Sequence, residues 1–326
     1  MKNNLFSWAT SELSQDAFFC WLLSFAVEKH SREEPLLTEC AKDLLVLFDV
    51  TSVMIKEIKR QYQHIDILVC LENGEYVIIE DKTYTAQHGE QLKRYAENLS
   101  VDGCKISSDK IKTVYLKIVE QAWTENDAIN VTRDDLLKIF EKYIDNVGNQ
   151  IFIDYYRHLR SIERGVKAYQ NLENDISKWD NLSYIGFFTH LQKDKIVDDG
   201  WWGYVPNPTG GFSCLNFYWL GEKELEPSGL FQAGASELYL QIEDNIIAVK
   251  LTCSDKTDSY NIRWNIFEYF VERLRSNNYS VKKKTFRPGT WMTVCYVEYN
   301  FDDYKDKINA MISIMVEIEN GIYKYQ

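Results

Sequence analysis

Two apolar runs of strand length, His64-Ile65-Asp66-Ile67-Leu68-Val69-Cys70 and Tyr76-Val77-Ile78-Ile79-Glu80-Asp81-Lys82, flank a Glu72-Asn73-Gly74 turn signal. Runs this apolar, joined by so short a turn, predict paired buried strands of a hairpin, and a chain that holds such a hairpin must cover both of its faces. The few charges inside it are therefore conspicuous: Asp66 in the first strand, and Glu80, Asp81 and Lys82 closing the second. A charge in a buried strand is costly unless it is paired or binds a metal, so these residues call for a functional reason.

The surrounding chain patterns as helices and strands. Leu13, Ala17, Phe18, Trp21, Leu22, Phe25 and Ala26 follow the period of an amphipathic helix, with Thr10, Ser11 and Ser14 as N-cap candidates. Glu12 and Asp16 share one face near its start, where carboxylates also favour the helix dipole. A second helix is expected over 35–48 and an edge strand over 53–63. Beyond the hairpin the pattern predicts a helix over 90–99, a strand over 110–119 and helices over 134–144 and 151–170. Two helices, three strands, then helix, strand and helix point to an α/β sandwich with a mixed sheet.

The 326 residues have room for about two domains. Past about residue 170 the texture becomes aromatic and turn-rich, as in Trp201-Trp202-Gly203-Tyr204 and Pro206 to Gly211. Strands are expected there over 212–220, 237–243 and 246–252, then a helix over 261–275. A long strand pair on either side of Pro288-Gly289 and a helix over 304–318 follow. The division expected is a first domain over 1–170 and an α+β domain over 171–326. The 7 cysteines are scattered with no C-x-x-C pair, which argues against a disulfide framework or a zinc cluster. No apolar run is long enough to span a bilayer and no leader pattern opens the chain, so the expectation is a cytoplasmic protein with no membrane partner.

In a strand Glu80 and Lys82 share a face and Asp81 takes the other, while Asp66 can come opposite Glu80 if the register suits. Two carboxylates converging beside a lysine suit a hard divalent cation; the bland alternative is a salt-bridge ladder at a strand end. Ile65-Asp66-Ile67-Leu68-Val69, Ile78-Ile79-Glu80-Asp81-Lys82 and Gln91-Leu92-Lys93-Arg94-Tyr95 together resemble the core of the PD-(D/E)XK nuclease superfamily. They are most similar to a bacterial branch with I-D-I-L, I-I-E-x-K and Q-L-x-R-Y motifs, and Ser11 to Ala17 with Trp21-Leu22-Leu23 resembles that branch's first helix. The likeness covers roughly residues 5–120; Ile65 replaces the proline of the name, which carries no chemistry.

The resemblance implies a restriction-endonuclease-like mixed sheet flanked by helices and a Mg²⁺- or Mn²⁺-dependent nuclease, with DNA the expected substrate. It makes Asp66 and Glu80 metal ligands, with the Asp81 carbonyl joining them, and Lys82 the catalytic lysine. Gln91 and Tyr95 fall on the helix edge near the site, and Glu12 or Asp16 takes the accessory acidic position. The same scaffold also occurs in non-catalytic regulatory or protein-binding members.

The formal charge of −12 opposes a polyanion, so nucleic acid requires local basic patches. Candidates are Lys59, Arg60, Lys93 and Arg94 beside the motifs; Arg157, Arg160, Arg164 and Lys167 along one helix side; and Lys282 to Lys284 with Arg287. For any single patch the commoner role is a solvated face, balanced on the helix by Glu163 and Glu173. Trp201, Trp202, Tyr204 and Phe212 are candidates for stacking on bases, with domain core as the commoner role of such a cluster. The second domain is expected to select substrate, sense a signal or form a homodimer. His30, His64, His88, His158 and His190 show no metal spacing.

Overall fold

The computed structural model describes residues 3–51, 54–84, 90–122, 127–172, 175–205, 211–254, 259–287 and 289–325. It divides into two compact units, Met1–Arg164 and Gly165–Gln326, the boundary lying within the helix over Gln150–Lys167.

In the first unit α1 (Glu12–Ser24) and α2 (Pro35–Leu47) precede β1 (Ile55–Tyr62), β2 (Ile65–Leu71) and β3 (Tyr76–Lys82). Next come α3 (Gln91–Asn98), a ribbon of β4 (Ser100–Val101) and β5 (Cys104–Lys105), then β6 (Ile111–Lys117), β7 (Ile129–Thr132), α4 (Arg133–Phe140) and α5 (Gln150–Lys167). The sheet runs β1-β2-β3-β6-β7, antiparallel through the two hairpins and parallel from β3 through β6 to β7. It is a mixed sheet flanked by helices, with β1 at an edge. β7 goes unforeseen in the sequence because four residues are too few to show a period of two. One face packs on α1 and an aromatic cluster in which the Phe18 and Tyr155 rings stack at 3.7 Å, with Phe6 and Phe140 against them. The other face buries Leu68, Ile78 and Tyr115 under Leu92 of α3.

The second unit holds α6 (Asn181–Lys193), β8 (Trp201–Val205), β9 (Phe212–Leu220), a short α7 (Glu222–Leu225), β10 (Ala235–Glu243) and β11 (Ile246–Cys253). It closes with α8 (Ser259–Arg275), β12 (Val281–Lys282), β13 (Trp291–Glu298) and α9 (Tyr304–Glu319). Its sheet is antiparallel throughout, in the order β12-β13-β11-β10-β9-β8. The long strand pair expected around Pro288-Gly289 is corrected: β12 pairs only two residues with β13, since the consecutive ammonium groups of Lys282 to Lys284 gain nothing from a ladder. Pro288 itself, with Pro206 to Gly210, lies outside the described residues. Trp202 is buried and donates to Gln192 at 2.7 Å, whereas Trp201 and Tyr204 are exposed on the edge strand. No helix among the described residues is long and apolar enough to cross a membrane.

Candidate active site

The hairpin positions the candidate residues by ending its backbone ladder one step early. The last paired Cα atoms are Ile67 and Ile79, so Asp66 and Glu80 are the next positions in register. There a side chain takes over, with the Asp81 N–H donating to Asp66 Oδ2 at 3.0 Å. Strand alternation then sends Glu80 and Lys82 to the face of Ile78, under α3, and the Asp81 side chain to the face of α1.

On the α3 side the Lys82 amine gathers three oxygens. Its Nζ lies 2.5 Å from Glu80 Oε1 and 3.5 Å from Asp66 Oδ2, and donates to the Asp81 carbonyl at 3.3 Å. Glu80 is fully buried, and apart from this charge contact neither of its oxygens accepts a hydrogen bond of good geometry among the described residues. Burial drives the Glu80 carboxyl up to about 7, the repulsion of Asp66 and Asp16 adding to it and Lys82 opposing it. Burial pulls Lys82 the other way, but the hydrogen bond and charge of Glu80, with Asp66 and Glu12 behind, outweigh it. The amine therefore titrates above the usual lysine range and is an ammonium at neutral pH.

On the α1 side Gln15 Nε2 donates to Asp81 Oδ1 in a short contact, and Asp16 lies next to it. Among the described residues Asp16 Oδ1 and Asp81 Oδ2 are buried without a hydrogen-bond partner. Burial, then the charge of Asp66, raises Asp16 to about 6; burial and the neighbouring Asp16 and Asp66 raise Asp81 as well. Gln61 Nε2 joins the two sides, donating to Asp16 Oδ2 at 3.1 Å and to Asp66 Oδ1 at 3.2 Å. Its backbone is left-handed (φ 53°), an uncommon conformation for a non-glycine residue inside a strand. Glu12 reaches instead past Lys82, where its Oε1 accepts the Thr83 N–H at 3.0 Å. Both acidic residues of α1 thus abut the site, Glu12 at the end of β3 and Asp16 through Gln61.

Gln91 and Tyr95 come together, the amide donating to the Tyr95 hydroxyl at 2.6 Å, but among the described residues no hydrogen bond links them to the carboxylates. Lys93 is exposed and pairs with Glu90, and Arg94 is exposed. Lys59 pairs with Glu57 and lies over the Tyr62 ring; the charge of Arg60 reaches Asp16. Arg157, Arg160 and Arg164 all stand exposed on α5. The balancing role expected of Glu163 is corrected: Glu163 is buried and accepts from Arg133 Nε at 2.8 Å, because the buried guanidinium needs it. Glu173 and His88 lie outside the described residues. His158 packs among Phe6 and Tyr155, and His190 bonds the Tyr304 hydroxyl.

Three residues of the cluster escape the sequence reading. Gln61 carries no motif, and Gln15 lies in the stretch that resembles the branch's first helix without a role being expected of it. Lys117 does leave a signal, since it ends an apolar strand as Lys82 does, and the parallel register sets the two lysines side by side. Its Nζ donates to the Thr83 carbonyl at 2.6 Å, and burial lowers its pKa to about 8 against the pull of Glu12, Glu120 and Asp81.

The donor set suits a hard cation. Among the described residues no three His, Cys, Asp or Glu side chains form a ready cage. Two carboxylates and a carbonyl nevertheless lie within 3.5 Å of one ammonium nitrogen, and one of those carboxylates, Glu80, is buried and among the described residues is answered only by that ammonium. Mg²⁺ characteristically takes one or two protein carboxylates and completes its shell with water and phosphate oxygens.

A family model described as PD-(D/E)XK nuclease superfamily matches residues 9–196, a span that contains the whole hairpin and runs just past α6. No curated protein and no solved structure matches the chain.

Proposed function

The chain belongs to the PD-(D/E)XK nuclease superfamily, and from that premise we propose that it is a divalent-metal-dependent nuclease that hydrolyses DNA at the end of the β2–β3 hairpin. The observation that carries this reading is the convergence of Asp66 Oδ2, Glu80 Oε1 and the Asp81 carbonyl on Lys82 Nζ. Asp66, Glu80 and the Asp81 carbonyl would hold Mg²⁺ or Mn²⁺, which when bound supplies Lewis-acid polarisation of a phosphoryl oxygen and lowers the pKa of a bound water.

The rest of the chemistry belongs to the chain's own groups. Hydrolysis forms a bond from a water oxygen to phosphorus and breaks the bond to a sugar oxygen, the attacking water giving up one proton to solvent and the departing sugar oxygen taking one up, and negative charge builds on the phosphoryl oxygens in between. Lys82 is an ammonium held from two sides by carboxylates, and a fixed positive charge aimed where negative charge develops is the most effective electrostatic arrangement. Glu12 fixes the chain just past Lys82 through the Thr83 N–H, and Gln61 fixes Asp66. Both orient rather than react.

The test is incubation of purified protein with plasmid, linear and single-stranded DNA and with RNA, in Mg²⁺, Mn²⁺ or EDTA, alongside Lys82→Ala and Glu80→Gln. Cleavage dependent on the cation and lost in both variants is expected. Cleavage that persists in EDTA or in both variants overturns the mechanism, and failure to cleave any substrate favours a non-catalytic member of the fold.

A further inference from the structure

In the second unit, positive charge and exposed aromatic rings collect where the chain between β12 and β13 lies against α8. Lys282 and Lys284 are answered by carboxylates, Glu298 at 2.7 Å and Glu243 at 3.4 Å. Lys283 between them turns onto the rings of α8. Its Nζ lies 5.0 Å from the centres of Trp264 and Phe286 and 5.8 Å from Phe267. Beneath it Arg263 is 3% exposed, stacks its guanidinium 3.9 Å over Phe286 and donates to the carbonyls of Arg287 and Thr293 at 3.0 and 2.8 Å. Among the described residues its Nε has no hydrogen-bond partner and no carboxylate pairs with Arg263, Lys283 or Arg287. Tyr260, 58% exposed, lies one helical turn before Trp264 with its ring plane within 5° of parallel, and meets the Phe286 ring edge-on.

A buried cation without a counter-charge is costly, and its field emerges at the surface above it. Here, among the described residues, that surface carries two more cations without a carboxylate partner and a row of half-exposed rings, in a chain whose total charge is −12. Cations alone would suit any polyanion. Rings beside them reward a polymer whose bases are free to stack, and a duplex hides its bases. From this juxtaposition we infer that the α8 surface is a docking platform for single-stranded nucleic acid: Lys283 and Arg287 take backbone phosphates, Tyr260 and Trp264 stack on bases, and Arg263 holds the β12–β13 segment in place. The inference rests on the nuclease reading only for the nature of the polymer.

Binding rather than cleavage tests it. The full chain carrying Glu80→Gln, which silences cutting, is titrated into fluorescein-labelled dT20, rU20 and a 20-base-pair duplex while anisotropy and tryptophan fluorescence are followed. Single strands are expected to bind more tightly than the duplex and to quench Trp264, with the signal lost in Trp264→Phe. Trp264→Ala should weaken dT20 or rU20 binding by between about 5- and 100-fold. Lys283→Gln with Arg287→Gln should flatten the dependence of log K on log salt by about 0.7 per charge removed. The difference between dT20 and rU20 assigns the polymer. Unchanged single-strand affinity in these folded variants, preference for the duplex, or no binding overturns the inference, whether or not the wild type cleaves. Loss of binding in the variants of a chain that never cleaves leaves the platform standing and removes the nuclease reading.

Discussion

Glu80 concentrates the conflict between stability and chemistry in one side chain. Its carboxylate is wholly buried and among the described residues is answered only by the Lys82 ammonium, so burial, with Asp66 and Asp16 adding to it, raises its pKa to about 7. A carboxyl whose pKa is raised by folding contributes stability that is fully present below its unfolded value and is lost as pH rises through its folded value. The metal-free protein should therefore lose stability between about pH 4.5 and 7, by on the order of 3 kcal/mol from this group. Thermal melts across that window in EDTA check it, and a melting temperature that climbs throughout would refute it. The neutral isostere Glu80→Gln should raise the melting temperature at pH 8, do little at pH 5, and abolish cleavage. Cation binding needs the ionised form, so the melting-temperature gain from Mg²⁺ should grow as pH passes 7. Lys82→Ala removes the ammonium but leaves the carboxylates, and is expected to cost cleavage about 100- to 1000-fold while keeping a Mg²⁺-dependent shift in melting temperature.

The β1–β2 hairpin shows how an element is shaped for the site at some expense to itself. Gln63 and His64 form its two-residue turn with φ of 53° and 70°, a geometry that asparagine or glycine adopts with less strain. His64→Gly should raise stability by about 0.5 to 1 kcal/mol and leave cleavage unchanged, as denaturant melts and turnover assays would show. A fall in cleavage would instead give the imidazole a role its position does not suggest. Gln61 is strained in the same sense but bridges Asp16 and Asp66, so Gln61→Gly should relieve the backbone and still reduce cleavage. The two strands carrying Asp66, Glu80 and Lys82 are legible in the sequence because their apolar runs are long and their charges few. α1 is legible as a helix but not in its buried face: Leu13 and Ala17, expected inside, are exposed, and Gln15, Asp16, Phe18, Phe19, Leu22 and Leu23 are buried, because the helix turns its polar site residues inward. Gln15 and Gln61 are not, since an amide acquires meaning only from the carboxylate it meets across the fold. α6 is passed over because its apolar residues run nearly all round the helix, with buried Tyr184, Ile185, Phe187, Phe188 and Leu191 and no single stripe.

Across the whole molecule the charge of −12 repels the polymer that the site is proposed to cut, so association must come through restricted basic faces and weaken steeply with salt. In the first unit the exposed face of α5 is the strongest of these. Arg157 and Arg160 are only loosely answered, by Asp154 at 3.8 Å and Glu141 at 3.5 Å, and among the described residues Arg164 pairs with no carboxylate, its Nε donating to the Arg160 carbonyl. Glu163, which would have neutralised this face, is drawn inward by Arg133. Replacing Arg157, Arg160 and Arg164 together by glutamine should leave the fold intact, because all three side chains stand in solvent, and should lower duplex affinity at 50 mM salt far more than at 200 mM. The slope of log K against log salt should shrink by about 2 to 3, roughly 0.9 for each phosphate that an arginine no longer neutralises. An unaltered slope would mean that this helix face meets only water, and would leave Lys93, Arg94 and Arg60 beside the hairpin as the cations that bring duplex to Lys82.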